Sequence, residues 1–599
     1  MLIWFKLFNS IKGEHEADDF ARLEIESLLG NPVEPVRNFV EEFARDPLSR
    51  FIGSSGEHRP QDSVTYELPY GRTQGYRAEV TDNTLVAKLA SRLAYTREFY
   101  VADGPGNQEE FAKRLLPEGV PGQNIEVYAN GTNRLARIIT NQYFLEKTEY
   151  VSKLSRDTAE VERNVRILLY YPVDELYRIP ASSTLSVGKR LQDYFTIREE
   201  PSLYLSHYMH PYKGKFHPKM ARALLNVVMP NGSGLALDNF AGSGTLLVEA
   251  TLMGIASVGV EINPLSTLMS KVKCECLSLP RGRLNEAIRS YIEALRDHGS
   301  LYARETALLP EVDSVESVRM ESHVKGFSKL RPDIHYAQRL LPARLGDPYH
   351  DFLLLALSGT ISDLTRRSSA ELADAFEDRA WDLFRRVCIY QELNKVLRIP
   401  PVQARSITAD TRQMPEVGDG SITAIVNSPP YSVALDYIKN DFPQLVMLHL
   451  VGSLDQLNRD MMGNPRVNYR KETIQERMRA DRASGNPLSI SERAKSAVDL
   501  LMGGGREKEA YRCFKFFDDM LATLKEMYRV LVPGGKAAVV IGCNNFMVDG
   551  KYHSIPNDDI ILELATSVGL PTYQRVDRQL QKTSAGNIRE ETVLFLQKT

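Results

Sequence analysis

The stretch DNFAGSGTLLVEA, residues 238–250, lies between two short β-like runs, LALDNF leading into it and SVGVEIN following it. An apolar run, a glycine turn, a helical pattern and a second β-branched run together make one βαβ unit. Gly242 and Gly244 let the backbone turn tightly and approach a ligand that a Cβ would keep away. Asp238 ends the first strand and Glu261 ends the second, seventeen residues beyond Gly244. An acidic side chain at that second strand end can accept two hydrogen bonds from ribose hydroxyls.

Three cofactor classes use a loop of this kind. A P-loop is excluded, because no Gly-Lys-Ser/Thr closes the turn. A dinucleotide loop brings a third glycine, whereas Leu247 follows Thr245 and Leu246 here. S-adenosylmethionine remains. It has no pyrophosphate to cradle, and its cationic sulfonium and aminoacyl end suit Asp238 and exposed backbone groups at the loop.

Working outward, SITAIVNSPPY, FKFFDDMLATLKEMYRVL, PGGKAAVVIG, IILELATSVGL and ETVLFLQK supply further strands and helices of the same α/β sheet. The expected methyl-donor domain therefore covers 196–280 and 401–599. Between its halves the period turns helical: Leu284, Ile288, Ile292 and Leu295 fall on one helix face. Residues 281–400 are read as a helical insertion. A second, polar insertion at 452–512 ends in the flexible run MGGGREKE; from Arg466 to Arg512 it holds 11 Lys/Arg against 7 Asp/Glu. That excess fits a solvated loop as well as a phosphate-contacting surface. Residues 1–195 mix β-like runs (YELPYG, NIEVYA, VRILLYY) with helical ones and read as a separate α+β domain.

Composition narrows the class. At 599 residues, with 43% hydrophobic and 25% charged residues, the chain reads as a soluble globular protein of two or three domains. A net charge of −3 announces no overall basic field. No apolar run reaches the roughly 18 residues of a membrane span. The five cysteines form no zinc pattern, no metal is expected, and a reducing cytoplasmic setting fits.

NSPPYSVALDY, residues 427–437, places a hydroxyl, two rigid prolines and an aromatic ring in succession after a strand. Such a stretch can be a surface turn or the floor of a pocket for a flat, amino-bearing ring. Its company decides. DNFAGSGTLLVEA with VGVEINP resembles the cofactor motif and following strand of amino-methyltransferases, and NSPPY resembles their catalytic motif in the form associated with DNA cytosine-N4 methyltransferases. HPYKGKFHPKMARALLN, residues 210–226, resembles the segment that precedes the cofactor motif and closes the site. RVLVPGGKAAVVIG resembles a late turn and strand of that fold. Asn239 stands where the family usually has Pro, which implies a softer turn.

The resemblance implies a Rossmann-like class I methyltransferase domain with a seven-stranded mixed sheet. It implies that Asp238, Phe240, Gly242 and Gly244 line the methionine end of S-adenosylmethionine, that Glu261 with Ile262 holds the ribose, and that Asp410 meets the adenine. Phe216, His217 and Asn427 complete the expected cofactor site. The catalytic group is Ser428, Pro429, Pro430 and Tyr431. An exocyclic amine is a poor nucleophile, because its lone pair is delocalised into the ring. Hydrogen bonds accepted by Ser428 Oγ and the Pro429 carbonyl would free it. The prolines hold those acceptors rigid, and Tyr431 would stack on the base at about 1–3 kcal/mol. In a duplex the base must first leave the stack.

The implied activity is site-specific methylation of DNA, with N4 of cytosine as the expected target and a restriction nuclease as a candidate companion. FARLEIESLLGN and LASRLAYTREFY resemble the amino-terminal region of THUMP-type tRNA guanine-N2 methyltransferases, so an RNA substrate stays open. Those enzymes usually carry Asp where Ser428 stands. A third reading is a cofactor-binding scaffold without activity. Target recognition falls to 281–400 or to 452–512, depending on which order of parts the chain follows.

Overall fold

The structure, a computed structural model, describes residues 1–8, 15–37, 73–103, 107–117, 119, 124–130, 133–152, 155–170, 203–297, 327–342, 346–365, 371–430, 437–463, 471–480, 484–579 and 590–599. The expected boundary near 195 and Tyr431 both lie outside the described residues. So does the YELPYG run.

The first sheet comprises β1 (Leu2–Leu7), β2 (Glu34–Val36), β3 (Gly75–Glu79), β4 (Thr96–Asp103), β5 (Ile125–Asn130) and β6 (Asn133–Ile139), in the order β2-β3-β1-β4-β6-β5. Its pairings are all antiparallel. Helices His15–Leu29 and Leu85–Arg92 fall between strands so that the first four strands form a βαββαβ unit. Period-2 alternation sends Ile3, Phe5, Phe99, Val101, Ala136 and Ile138 into a core with Ile25, Leu28, Leu89 and Phe111. On the other face Trp4 and Tyr100 are also buried, beside Glu98, which is bound by Lys6 and Arg137.

The second sheet has seven strands: β7 (Leu235–Asp238), β8 (Ala256–Glu261), β9 (Ala404–Thr408), β10 (Ile422–Asn427), β11 (Leu531–Gly542), and, after the hairpin β12 (Asn544–Val548) and β13 (Lys551–Ile555), β14 (Thr572–Gln579) and β15 (Glu590–Gln597). The order is β14-β15-β11-β10-β7-β8-β9. The five central and right-hand strands are parallel, and β15 pairs antiparallel with β11 and β14. This is the mixed seven-stranded α/β sheet that the sequence anticipated. Central strand ITAIVN is apolar because helices cover both faces of a parallel sheet. Strand order reverses between β7 and β10, and a ligand crevice opens outside the strand ends at such a switch point.

The helices of 281–400 share one apolar core with helix Thr158–Tyr170 and helix Pro264–Glu275; Leu284, Ile288, Ile292 and Leu295 all point into it. The 452–512 segment departs from the polar loop that was anticipated. It folds into helices Leu454–Asp460, Lys471–Arg479, Pro487–Ile490 and Glu492–Gly503, and buries Ile474, Leu488, Ala494, Val498 and Leu501 against helix Glu507–Val530. The MGGGREKE run is a helix end, a turn with Gly505 at φ 70°, and the next helix start, so it is structured rather than loose. Short apolar periods between charges hid these helices. Among the described residues no helix is long and apolar enough to cross a membrane.

Helix Pro218–Val228 joins the two sheets and is buried on every side. Arg222 donates from Nε to Glu249 Oε2 at 2.6 Å, while Tyr204 OH donates to Glu249 Oε1 and His207 Nε2 contacts that oxygen, each at 2.7 Å. Asn226 Nδ2 donates to Glu24 Oε2 at 2.9 Å; Glu24 also accepts the amides of Ala94 and Tyr95. Burial pushes the Glu24 carboxyl up to about 7. Removing one member of a buried ion pair strands the other. Arg222→Leu is therefore expected to cost about 3–5 kcal/mol of stability, read by urea unfolding, whereas exposed Lys113→Ala should change it by less than about 1 kcal/mol.

Candidate active site

Six segments converge at the carboxyl ends of β7, β8, β9 and β10. A pocket there is lined by Tyr212, Lys215 and Phe216; by Asp238–Ser243 with Thr245; by Glu261–Asn263; by Asp410–Arg412; by Ser428 and Pro430; and by Asp460–Met462. The loop after β7 turns in place of a longer connection. Gly242 has φ 48°, and a Cβ there would sit 3.0 Å from the Tyr212 hydroxyl in the pocket wall. Gly244 differs. Its φ is 81°, and a Cβ would press 2.5 Å from Ser270 Cβ on helix Pro264–Glu275, so its bareness serves helix packing rather than the ligand. Behind the loop the buried Lys273 donates to the Ser243 carbonyl at 2.8 Å.

Glu261 is fixed by two backbone amides, Gly242 N–H on Oε2 at 2.8 Å and Asn263 N–H on Oε1 at 2.9 Å. This ties the loop after β7 to the end of β8. Asp238 accepts from Phe240 N–H at 3.0 Å. Desolvation raises both carboxyls, Asp238 to about 7, with Glu261 adding repulsion. Asp441, bound to Asn263 Nδ2 at 2.8 Å, is likewise pushed up to about 7 by burial. Buried carboxyls raised in this way favour a cationic ligand, which makes ionisation worthwhile.

Asp410 lines the pocket but is gripped by Arg412, whose Nε lies 2.9 Å from Oδ1 and whose Nη2 lies 2.5 Å from Oδ2. Arg412 in turn donates to Asp519 Oδ1 at 2.7 Å and the Asp460 carbonyl at 2.9 Å. Lys215 donates to the His207 and His210 carbonyls at 2.7 and 2.9 Å, and burial lowers it to about 8.

Of the residues singled out from the sequence, Asp238, Phe240, Gly242, Glu261, Ile262, Asp410, Phe216, Ser428 and Pro430 line the pocket together. Pro429 is buried in the same corner. His217 caps helix Pro218–Val228 as its first flanking residue and is not among the lining residues. Asn427 is buried behind the wall and donates from Nδ2 to Asn239 Oδ1 at 2.6 Å; Asn239 Nδ2 donates to Thr411 Oγ1 at 2.7 Å. Asn239 is thus a bridge across the ends of three strands instead of a softened turn, because its amide both accepts and donates.

Tyr212, Lys215, Thr411 and Met461–Met462 were not anticipated. The first two stand inside HPYKGKFHP and carried a signal; the methionines carried none. Among the described residues no group of three or more His, Cys, Asp or Glu side chains is arranged to hold a metal ion.

No family model matches the chain. It is 25% identical over 396 residues to the Type II methyltransferase M.MvaI of Kocuria varians, covering 60% of this chain and 81% of that one. Over 69 residues it is 42% identical to the Type II methyltransferase M.MjaII of Methanocaldococcus jannaschii, 12% of this chain and 13% of that one. Over 52 residues it is 40% identical to a tRNA (guanine(10)-N2)-dimethyltransferase of Methanothermobacter thermautotrophicus, 9% of this chain and 16% of that one. The chain is thus similar to methyltransferases, enzymes of the kind whose methyl donor is S-adenosylmethionine. The pocket fits that donor, with raised carboxyls for its cationic end and a bare Gly242 where a Cβ would fill the cradle.

Two outcomes follow from this geometry. A donor held by ionised Asp238 would bind less tightly below about pH 7, by a factor approaching tenfold per pH unit, with affinity levelling off above it. Titration calorimetry of S-adenosylmethionine at pH 6, 7 and 8 reads this directly, and affinity independent of pH would refute it. Separately, Gly242→Val should abolish donor binding while the fold survives. Gly244→Ala should instead cost about 1–3 kcal/mol by overpacking at a positive φ.

Proposed function

We propose that this protein transfers the methyl group of S-adenosylmethionine to an exocyclic amine of a DNA base, N4 of cytosine, as a site-specific modification methyltransferase. The observation that carries the reading is that Ser428 and Pro430 share one cavity wall with Asp238, Phe240 and Glu261, so the NSPPY corner opens into the donor pocket. The similarity to M.MvaI, which spans most of that enzyme's length, supports a DNA substrate. When bound, the donor supplies an activated methyl on a cationic sulfur.

The chain's own groups do the rest. Asp238 and Glu261, ionised on binding, hold the cationic end and the ribose. Lys215, whose ammonium already faces two carbonyls at the pocket rim, meets the donor's carboxylate. Asp410 accepts from the adenine amine while Arg412 keeps its carboxylate in place. Ser428 Oγ and the Pro429 carbonyl accept the two N–H bonds of the target amine, draw the nitrogen towards a tetrahedral form and aim its lone pair. Transfer in line then depends on position more than on acid–base strength. Tyr431 supplies stacking.

Of the two insertions, 452–512 is favoured for reading the target, since Asp460, Met461 and Met462 reach the pocket while the helices of 281–400 are taken up in packing. A guanine-N2 reaction on RNA is the second reading, favoured by the short match to the tRNA enzyme. Against it, the aromatic residues Trp4 and Tyr100 of the first sheet are buried and offer no open stacking platform. The free cysteines fit a reducing compartment, and we assign the protein to the cytoplasm.

Tritiated methyl should pass to duplex plasmid DNA and not to total tRNA, with N4-methylcytosine found in the digest. Ser428→Asp should change the rate or the base preference at unchanged donor affinity. Label in tRNA alone, or a Ser428→Asp enzyme identical to wild type, would defeat the assignment.

A further inference from the structure

The sheet edge that bears the pocket carries a second feature. β11 runs parallel to β10 with Val539 opposite Asn427, so β11 extends three residues beyond the level at which β10 ends. β10 turns there into the NSPPY corner. β11 continues to Gly542 and enters the β12–β13 hairpin. Along that hairpin Phe546 pairs with His553, Met547 with Tyr552 and Val548 with Lys551.

Alternation turns Phe546, Val548 and Ile555 into the core beneath. It turns Met547 and Tyr552 outward as cross-strand neighbours. Tyr552 is 78% exposed and Met547 44%; with Tyr573 they are the exposed large hydrophobics among the described residues. Lys551, paired with Val548 on the opposite face, is exposed at the hairpin turn. The hairpin also shares one apolar core with the pocket-lining Met462. Val548 abuts the turn at Gly504, where an added Cβ would lie 2.1 Å from Val548 Cγ1. That turn ends the segment that brings Asp460–Met462 to the cavity. Hairpin, 452–512 and pocket wall are one packed body.

We infer that this hairpin is the duplex-contacting wedge, with Tyr552 and Met547 stacking into the helix beside the base drawn into the NSPPY corner. The assignment rests on the DNA reading above. A base that swings out leaves its neighbours unstacked, and apolar side chains inserted between base steps occupy such gaps in other DNA-bending proteins. A two-stranded ribbon is narrow enough for the major groove, and Lys551 meets a phosphate from the adjacent position. The partner is thus double-stranded DNA. A single strand has no stack to prise apart and gains less from the wedge.

The test compares methyl transfer to unmethylated plasmid DNA, native and heat-denatured, by wild type, Tyr552→Ala and Tyr552→Phe. Stacking on one ring is worth about tenfold or more in affinity. Tyr552→Ala should raise KM for native DNA by about that factor, change KM for denatured DNA far less, and leave S-adenosylmethionine affinity unchanged. Tyr552→Phe should behave as wild type. Tyr552→Ala equal to wild type on native DNA, or equally impaired on both forms, overturns the wedge alone. Wild-type protein that methylates neither form overturns the DNA reading and the wedge with it.

Discussion

The parallel pairing of β7 with β10, Leu237 beside Ile425, is the constraint on which everything at the site depends. Strand order reverses there, so the connections leaving the two strands diverge and leave a crevice. One strand end contributes Asp238 and the glycine loop; the other contributes Asn427 and the NSPPY corner. Asn427, Asn239 and Thr411 then lace three strand ends together by side-chain amides and a hydroxyl. The glycine loop and the Ser-Pro-Pro corner are thereby held as one unit, as the proposed in-line transfer requires.

Charge is handled in two different ways within the fold. Around helix Pro218–Val228 the buried ions are satisfied internally, Glu249 by Arg222, Tyr204 and His207. That arrangement holds Glu249 low despite its burial and fixes the seam between the sheets. At the pocket the carboxyls of Asp238 and Glu261 have, among the described residues, only backbone amides as hydrogen-bond partners, and burial holds them high. The first arrangement is complete in itself. The second is complementary to a cation, and that difference separates a structural cluster from a binding site.

The HPYKGKFHPKMARALLN segment illustrates how one stretch serves both ends. Its first half supplies Tyr212, Lys215 and Phe216 to the pocket. Its second half is the helix whose Arg222 and Asn226 reach Glu249 and Glu24. The pocket-lining segment and the join between the sheets are therefore consecutive parts of one helix and its lead-in.

Local chemistry made the α/β sheet, the glycine loop, the acidic strand ends and the rigid Ser-Pro-Pro corner legible in the sequence alone. Each depends on residue type within a few positions: a bare Cβ at a turn, a fixed φ, an apolar run of strand length. Asn239 and the helices of 452–512 took other roles than their local pattern suggested. Asn239 meets Thr411, 172 residues on, and Gly244 packs on Ser270 of another helix, while the 452–512 helices pack on the helix Glu507–Val530 that follows them. Only tertiary packing could decide which face of a small residue meets ligand and which meets another helix, because that choice is made by groups brought together across long separations rather than by neighbours in sequence.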